Sequence, residues 1–261
     1  MIWTGNPTIW KNISKQFGKL EFSDTITGKE KDMEYLYCPD GNFEDYSSGR
    51  VIYSGKGVPN FPVRLLNEIY GRAKSYLEKK ENIIVYDPCC GGGYALTVLG
   101  MFDNLSIGRI YASDVNGDMV ELAKRNLGLL TYFGLMKRKQ EIQHFYEMYG
   151  KQSHFEALMS CEKIYDKIKR EIAVEVFKAD CTKDLPNINP DIIITDVPYG
   201  NLVDWTEEMG LDAMLDQLWE ISHSKTILAV CMDKSQKVKS SRWIRIEKHN
   251  IGKRHIEILK K

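Results

Sequence analysis

The stretch from residue 82 to residue 94, N-I-I-V-Y-D-P-C-C-G-G-G-Y, decides the fold. Residues 82–87 form an apolar run of the length and composition of a buried β-strand. Three glycines follow, and then an apolar segment at residues 94–102 that predicts a helix. Glycines between a strand and a helix let the backbone turn tightly and approach a ligand closely. The stretch therefore predicts a strand, a ligand-binding loop and a helix in succession.

The same alternation of strands and helices continues to the end of the chain. Helical periodicity starts at residue 62, and further helices are predicted at residues 118–130 and 212–222. Strand patterns follow at residues 109–114, 172–178, 191–195, 226–232, 243–248 and 255–259. Such alternation indicates a mostly parallel sheet with helices on both faces. We expect an α/β fold with seven strands, of which the last two form an antiparallel hairpin at one edge.

Two parts of the chain depart from this pattern. Residues 1–60 are polar, rich in aromatic side chains and punctuated by Gly and Pro, which predicts an N-terminal extension of loops and short elements. Residues 134–170 are charged and mostly helical, as expected of an insertion between core elements. The main domain is therefore predicted to span residues 61–261.

Composition excludes several classes of protein. Hydrophobic residues make up 43% and charged residues 28% of the 261 residues, which is ordinary for a globular protein. The six cysteines form no C-x-x-C pair, so neither a zinc ribbon nor a redox motif is expected, and no metal is implied. No signal-peptide stretch and no apolar run of membrane-spanning length is found. We therefore expect a cytoplasmic protein with reduced thiols and no membrane contact.

The charge is balanced overall but uneven along the chain. The 36 basic residues equal the 36 acidic ones, yet residues 234–261 hold ten basic and two acidic side chains, a net charge of +8. Such a segment could contact the phosphates of a nucleic acid, or it could be a solvated strand face.

Three classes of nucleotide-like ligand are compared for the glycine loop at residues 87–94, and the sequence of the loop favours one of them. A P-loop requires G-x-x-x-x-G-K-[ST], and no lysine follows here. A dinucleotide loop requires G-x-G-x-x-G; Gly91 and Gly93 fit, but Leu96 stands at the third position. An acid, Asp87, followed by proline and then the glycines, fits S-adenosylmethionine (AdoMet), whose ammonium group a carboxylate can bind. A glycine-rich turn without a ligand remains the alternative.

Acidic residues also end the next two strands. Asp114 lies 23 residues beyond Gly91, where an acid typically binds ribose hydroxyls. Asn116 beside it is expected to cap the following helix. Asp180 ends the third strand and could accept a hydrogen bond from the adenine amine, or it could simply form a turn. Ligands of open α/β sheets bind at the carboxyl ends of the strands, where these acids lie.

The sequence D-V-P-Y-G at residues 196–200 follows the fourth strand. Pro198 restricts the turn, which would direct the Asp196 carboxylate into the cofactor cleft. Tyr199 offers a flat ring on which an extruded base can stack. A carboxylate that accepts protons from a base nitrogen would orient this nitrogen for attack on a methyl group. The alternative is a strand-ending turn without catalytic function.

Together these motifs resemble motifs I to IV of class I AdoMet-dependent methyltransferases, in the branch that acts on nucleobase amines. The sequences D-P-C-C-G-G-G-Y, S-D-V-N, A-D-C and D-V-P-Y-G carry the resemblance, with Val197 in place of the family's usual first proline. The chain is similar in particular to the avilamycin-resistance rRNA methyltransferases, the AviRa family, from about residue 46 onwards. This resemblance implies a Rossmann-like fold, methylation of a guanine in 23S ribosomal RNA, and a link to resistance against a ribosome-targeting antibiotic.

The resemblance also implies roles for individual residues. Asp196, Pro198 and Tyr199 would form the catalytic site. The cofactor would be held by residues of the strand ends and loops: Asp87, Cys90, Gly91, Gly93, Tyr94, Asp114, Val115, Asp180 and Cys181. We expect a monomer that acts on 23S rRNA. Rival hypotheses are a methyltransferase for a tRNA guanine or a DNA adenine, a non-catalytic AdoMet-binding protein, and an NAD-dependent oxidoreductase.

Overall fold

The structure is a computed structural model that describes residues 33–55, 60–197 and 210–261. Seven strands lie in these ranges: β1 (Ile83–Asp87), β2 (Ile107–Asp114), β3 (Ala173–Lys178), β4 (Ile192–Asp196), β5 (Ile227–Asp233), β6 (Ile244–Ile251) and β7 (Arg254–Lys260). They form one sheet in the order β3-β2-β1-β4-β5-β7-β6. Strands β1 to β5 pair in parallel, whereas β7 runs antiparallel to both β5 and β6. The predicted mostly parallel sheet with an antiparallel C-terminal hairpin is confirmed.

The helices cover both faces of this sheet. They are α1 (Val63–Ser75), α2 (Tyr94–Phe102), α3 (Gly117–Gly128), α4 (Tyr132–Tyr149), α5 (Gln152–Lys167) and α6 (Gly210–Glu220). The larger apolar core includes buried residues of α1, α2 and α3 with one face of the sheet. The smaller core joins Met214 and Leu218 of α6 and Trp243 to the opposite face. Among the described residues, no helix is long and apolar enough to cross a membrane.

The segment at residues 33–55 packs onto the main core. It contains a short 3-10 helix, Glu44–Tyr46, and buried residues such as Val51 and Ile52. Glu68 of α1, which is fully buried, accepts hydrogen bonds from the backbone N–H groups of Tyr37 (2.7 Å) and Cys38 (3.0 Å). The division into an extension at residues 1–60 and a domain at residues 61–261 stays a prediction, since residues 1–32 lie outside the described ranges.

Helices α4 and α5 occupy most of the predicted insertion at residues 134–170. They pack against each other, and the pair contacts α2, α3 and the 3-10 helix. Thr131 caps α4 by accepting a hydrogen bond from the N–H of Gly134 at 3.0 Å, and Gly150 ends it with a left-handed backbone. This pair lies on the helices of the larger core and adds no strand to the sheet.

Candidate active site

The glycine loop joins β1 to α2 at the carboxyl edge of the sheet. Gly91 and Gly93 have φ values of 51° and 72°, in the left-handed region that residues with a Cβ rarely adopt. A Cβ on Gly93 would lie 3.0 Å from Ala123 of α3, whereas a Cβ on Gly91 would point into open space. The Cys90 N–H binds the carbonyl of Ser113 on β2 at 2.9 Å, which fixes the loop to the sheet. The loop thus offers an accessible backbone beside Gly91.

Asp87 ends β1 beneath this loop and is almost completely buried. Its Oδ1 atom accepts a hydrogen bond from the N–H of Cys89 at 3.0 Å. The pKa of Asp87 is raised to about 7, chiefly by burial and in smaller part by the nearby carboxylates of Asp114 and Asp196, against the lowering effect of the Cys89 N–H and the Thr195 side chain. The structure therefore brings three of the predicted acids close enough to interact electrostatically. A cation placed among them would relieve this repulsion.

Asp114 ends β2 and binds the glycine loop directly. Its Oδ2 atom accepts from the Gly91 N–H and its Oδ1 atom from the Asn116 N–H, both at 2.9 Å. Each carboxylate oxygen has a second lone pair, which is available to a hydroxyl donor. Asn116 caps α3 by accepting from the N–H of Asp118, as predicted. The next side chain, Val115, is 60% exposed and presents an apolar surface beside the carboxylate.

Asp180, beyond the end of β3, forms a turn. Its Oδ1 atom accepts from both the N–H (3.0 Å) and the hydroxyl (2.7 Å) of Thr182, and its Oδ2 atom lies 3.0 Å from the ammonium of Lys183. The Thr182 and Lys183 donors lower its pKa. The turn-forming alternative is therefore realised in the structure, and the contact of Asp180 with adenine stays a prediction.

The cysteines of these loops pack with other buried side chains. The sulfur of Cys181 lies 3.5 Å from that of Cys89, between the end of β3 and the glycine loop. The contact with Cys181, together with burial, raises the pKa of the Cys89 thiol well above its ordinary value. The thiol of Cys90 is buried too and contacts the Gly91 carbonyl at 3.4 Å. The structure places all three as packing residues around the predicted cofactor loop.

Tyr94 connects the glycine loop to the segment before α1. It is the first residue of α2, and its hydroxyl donates to the carbonyl of Tyr46 at 2.9 Å. Burial raises the pKa of Tyr94 to about 12, so it is a neutral hydrogen-bond donor at ordinary pH. Asn126 makes a second connection, because its amide nitrogen donates to the carbonyls of Gly92 (2.8 Å) and Tyr53 (3.1 Å).

Asp196 ends β4, and its side chain lies in a charged, partly buried environment. The pKa of Asp196 is raised to about 6, because the effect of burial exceeds the lowering effect of the Arg254 guanidinium. Asp87 from β1 and Cys231 from β5 are the other titratable groups that interact with it. The Oδ1 atom of Asp196 is buried and has no hydrogen-bond partner among the described residues. Pro198 and Tyr199, the other two predicted catalytic residues, lie outside the described residues.

Arg254 is a charged residue at this edge that the sequence analysis did not single out. It is the first residue of β7, and its Nη2 atom lies 3.8 Å from Oδ2 of Asp196. In the sequence it is only one of the ten basic residues near the C-terminus. Its proximity to Asp196 follows from the order of strands in the sheet, for which the sequence carries no local signal.

Among residues 33–55, 60–197 and 210–261, no three His, Cys, Asp or Glu side chains are grouped as a metal ion would require. The carboxyl edge of the sheet presents carboxylates, a guanidinium group and exposed loop backbone. These groups suit a ligand with an ammonium group, hydroxyls and a heterocyclic base.

Comparison with known proteins agrees with this geometry. A family model described as the rRNA methyltransferase AviRa matches residues 33–254. A curated relative from Streptomyces viridochromogenes, named 23S rRNA (guanine(2535)-N(1))-methyltransferase, is 33% identical over an alignment of 222 residues that covers 80% of this chain and 88% of the relative.

Two solved structures of the rRNA methyltransferase aviRa from Streptomyces viridochromogenes have the same fold. The first, at 1.5 Å, is 30% identical with a TM-score of 0.78 and covers 85% of this chain and 94% of its own. The second, at 2.4 Å, is 31% identical with a TM-score of 0.75 and covers 83% and 92%. The family model spans the glycine loop, the acidic strand ends and β6, and it ends at Arg254, the first residue of β7. The chain therefore belongs to the AviRa family of rRNA methyltransferases.

Proposed function

We propose that the protein transfers a methyl group from AdoMet to N1 of a guanine in 23S ribosomal RNA. Membership of the AviRa family and the name of the curated relative support the reaction and the substrate. The observation that carries the proposal is the set of three interacting carboxylates, Asp87, Asp114 and Asp196, which surround a glycine loop at the ends of β1, β2 and β4. Asp87 and Asp114 would bind a cationic cofactor that carries a ribose, and Asp196 would bind a proton-bearing base on the other side.

The residues of the first two strand ends fit AdoMet. The open space beside Gly91 lets a ligand approach the loop backbone, and the free lone pairs of Asp114 can accept from two ribose hydroxyls. Asp87, which repulsion and burial hold partly protonated, would bind the methionine ammonium and ionise fully when it does so. When bound, AdoMet supplies an electrophilic methyl group on a sulfonium centre. Val115 offers an apolar contact for the adenine, and Asp180 a hydrogen-bond acceptor.

Asp196, Pro198 and Tyr199 form the substrate side in this proposal. Guanine N1 carries a proton at neutral pH, so a group must accept this proton when N1 becomes methylated. Asp196 is suited to accept it because its pKa of about 6 leaves it ionised near pH 7 while keeping it a better base than an ordinary aspartate. Tyr199 would stack on the extruded base, and Pro198 would hold the turn between them.

The proposal extends to the setting of the reaction. The protein would act as a monomer in the cytoplasm, where ribosomal RNA is made and assembled. Methylation of N1 removes a donor from the Watson–Crick edge of guanine and adds bulk there. A drug that recognises this guanine would then bind the ribosome less tightly, which is the basis on which we propose antibiotic resistance as an outcome.

The reaction can be tested with purified components. Deproteinised 23S rRNA, 16S rRNA and total tRNA are each incubated with the protein and methyl-labelled AdoMet, and the nucleosides are analysed by mass spectrometry. We expect label only in 23S rRNA and only as 1-methylguanosine, and no label with Asp196→Ala. Label in tRNA alone would favour the tRNA alternative, and AdoMet binding without transfer to any RNA would favour the non-catalytic one.

A further inference from the structure

Arg254 and Asp196 lie at the same edge and on the same face of the sheet. Asp196 is paired with Cys231 of β5, and Cys231 is paired with Ile256 of β7. Directly paired residues point to the same face, and so do residues two apart on one strand, so Arg254 shares the face of Asp196. Arg254 is also paired with Asp233, the last residue of β5, which places it at the carboxyl edge. Its side chain extends back across β5 towards β4.

The two charged groups are close but are not hydrogen-bonded to each other. The 3.8 Å between Arg254 Nη2 and Asp196 Oδ2 exceeds the length of a hydrogen bond. Within the described ranges, Arg254 Nε and Asp196 Oδ1 are both buried and both lack a hydrogen-bond partner. The Arg254 guanidinium carbon lies 5.1 Å from the centre of the Phe61 ring, a cation–π contact that favours this position of the group. Each of the two neighbouring side chains therefore keeps hydrogen-bonding capacity that no described residue uses.

This arrangement is complementary to one base. The Watson–Crick edge of guanine carries an acceptor, O6, next to a donor, N1–H, and N7 is a further acceptor beside O6. Arginine commonly binds O6 and N7 of guanine through two hydrogen bonds. Adenine has the opposite order on its Watson–Crick edge, a donor at N6 and an acceptor at N1. An adenine in the same position would therefore place donor against donor at Arg254 and acceptor against acceptor at Asp196.

We infer that Arg254 selects guanine as the substrate by donating two hydrogen bonds, to O6 and N7, while Asp196 accepts the N1 proton. The inference rests on the proposed function and deepens it. The N1–H bond breaks and its proton moves to Asp196; the electron pair left on N1 forms the bond to the methyl carbon. The methyl–sulfur bond breaks, and its electron pair stays on the sulfur, which becomes neutral. Loss of the N1 proton spreads negative charge onto O6, where the Arg254 guanidinium stabilises it.

Binding tests this role separately from activity. The probe is a 23S rRNA fragment that contains the guanine methylated by the wild type, made with guanine, inosine or adenine at this position. Affinities are measured with S-adenosylhomocysteine, the demethylated cofactor, so that no transfer occurs. Inosine keeps O6 and N1–H and loses only the 2-amino group, so it retains the Arg254 contact. We expect the wild type to favour guanine and inosine over adenine by roughly 5- to 150-fold, the range for one base-specific arginine contact.

The variants are Arg254→Ala and Arg254→Lys, with Arg109→Ala as the matched control. Arg109 lies near the amino end of β2, and its guanidinium binds the Tyr111 hydroxyl on the surface, far along the strand from the carboxyl edge. Arg254→Ala should remove most of the preference over adenine and lower the single-turnover rate about 10²- to 10³-fold. Arg254→Lys keeps the charge without the two-pronged geometry and should have intermediate values. AdoMet affinity should be unchanged in all three variants.

Each outcome decides a different claim. If the wild type methylates the guanine and Arg254→Ala retains both its rate and its preference over adenine, the inference is wrong and the proposed function stands. If the wild type methylates no guanine in 23S rRNA, the proposed function fails and the inference with it. If Arg254→Ala does not fold, the Arg254→Lys variant tests the inference. A Lys variant with the rate and the preference over adenine of the wild type would overturn the role of the two-pronged contact.

Discussion

The buried carboxylate of Asp87 should make the cofactor-free protein less stable as the pH rises. The pKa of Asp87 is raised from an ordinary value of 3.8 to about 7 in the folded protein. A raised pKa means that folding favours the protonated acid, so ionisation of Asp87 lowers the free energy of unfolding. This penalty is absent below pH 4, grows between pH 4 and 7, and is complete above pH 7. At pH 8 it amounts to on the order of 4 kcal/mol of the free energy of unfolding.

The substitution Asp87→Asn removes this penalty, because the amide is neutral and its oxygen can still accept from the Cys89 N–H. The amide nitrogen takes the place of a carboxylate oxygen at a buried site, and its poorer hydrogen bonding there costs about 1–3 kcal/mol. We expect the variant to exceed the wild type in stability at pH 8 by about 1–3 kcal/mol, the difference between these two effects, and to lose this advantage by pH 5. Urea unfolding at pH 5, 6, 7 and 8 measures the difference.

The matched control is Asp180→Asn. The pKa of Asp180 is lowered by its Thr182 and Lys183 partners, so its carboxylate stabilises the fold above its ordinary pKa, and this stabilisation is lost as the pH falls through the lowered value. The control should therefore be less stable than the wild type at neutral pH, the opposite sign to Asp87→Asn. A stability difference for Asp87→Asn that does not change with pH would refute the reasoning.

Three further predictions concern binding and rate. The single-turnover rate at saturating AdoMet should be half-maximal near pH 6, the pKa of Asp196, and should rise about tenfold from pH 5 to pH 7; a flat profile would exclude Asp196 as the proton acceptor. Asp114→Ala should weaken AdoMet binding by about 1.5–3 kcal/mol in calorimetry, and unchanged affinity would place the ribose elsewhere. Replacing Lys237 and Lys253 by Ala should flatten the salt dependence of RNA binding. The control Arg242→Ala should leave this dependence unchanged, because Arg242 is paired with Glu220 near the amino end of β5. Equal slopes in all variants would place the RNA on another surface.

The fold could be predicted from the sequence because its signals are local. The apolar runs that became β1, β4 and β5 are buried strands, and the glycines between β1 and α2 take the left-handed conformations that such a turn requires. The acids at the strand ends were predictable for the same reason. Once β1, β2 and β4 are parallel neighbours, the residues at their carboxyl ends must lie at one edge.

The features that escaped prediction depend on contacts distant in sequence. Arg254 reaches Asp196 only because β7 lies next to β5 and runs in the opposite direction, so that its first residue is at the carboxyl edge. Glu68 is a polar residue in a helix, yet it is fully buried because it accepts hydrogen bonds from Tyr37 and Cys38, about 30 residues earlier in the chain. The i,i+4 spacing of Glu68 and Arg72 indicates their ion pair, but nothing around Glu68 or Arg254 indicates the distant partners.

The modification of ribosomal RNA in cells tests the central claim most directly. A methyl group on guanine N1 blocks Watson–Crick pairing, so reverse transcription of the isolated 23S rRNA stops one nucleotide before the modified base. We expect one additional stop, before a guanine, in cells that carry the wild-type gene, and no such stop in cells that lack the gene or carry Asp196→Ala. An identical pattern of stops with and without the gene, together with no gain of 1-methylguanosine in the 23S rRNA, would contradict the account.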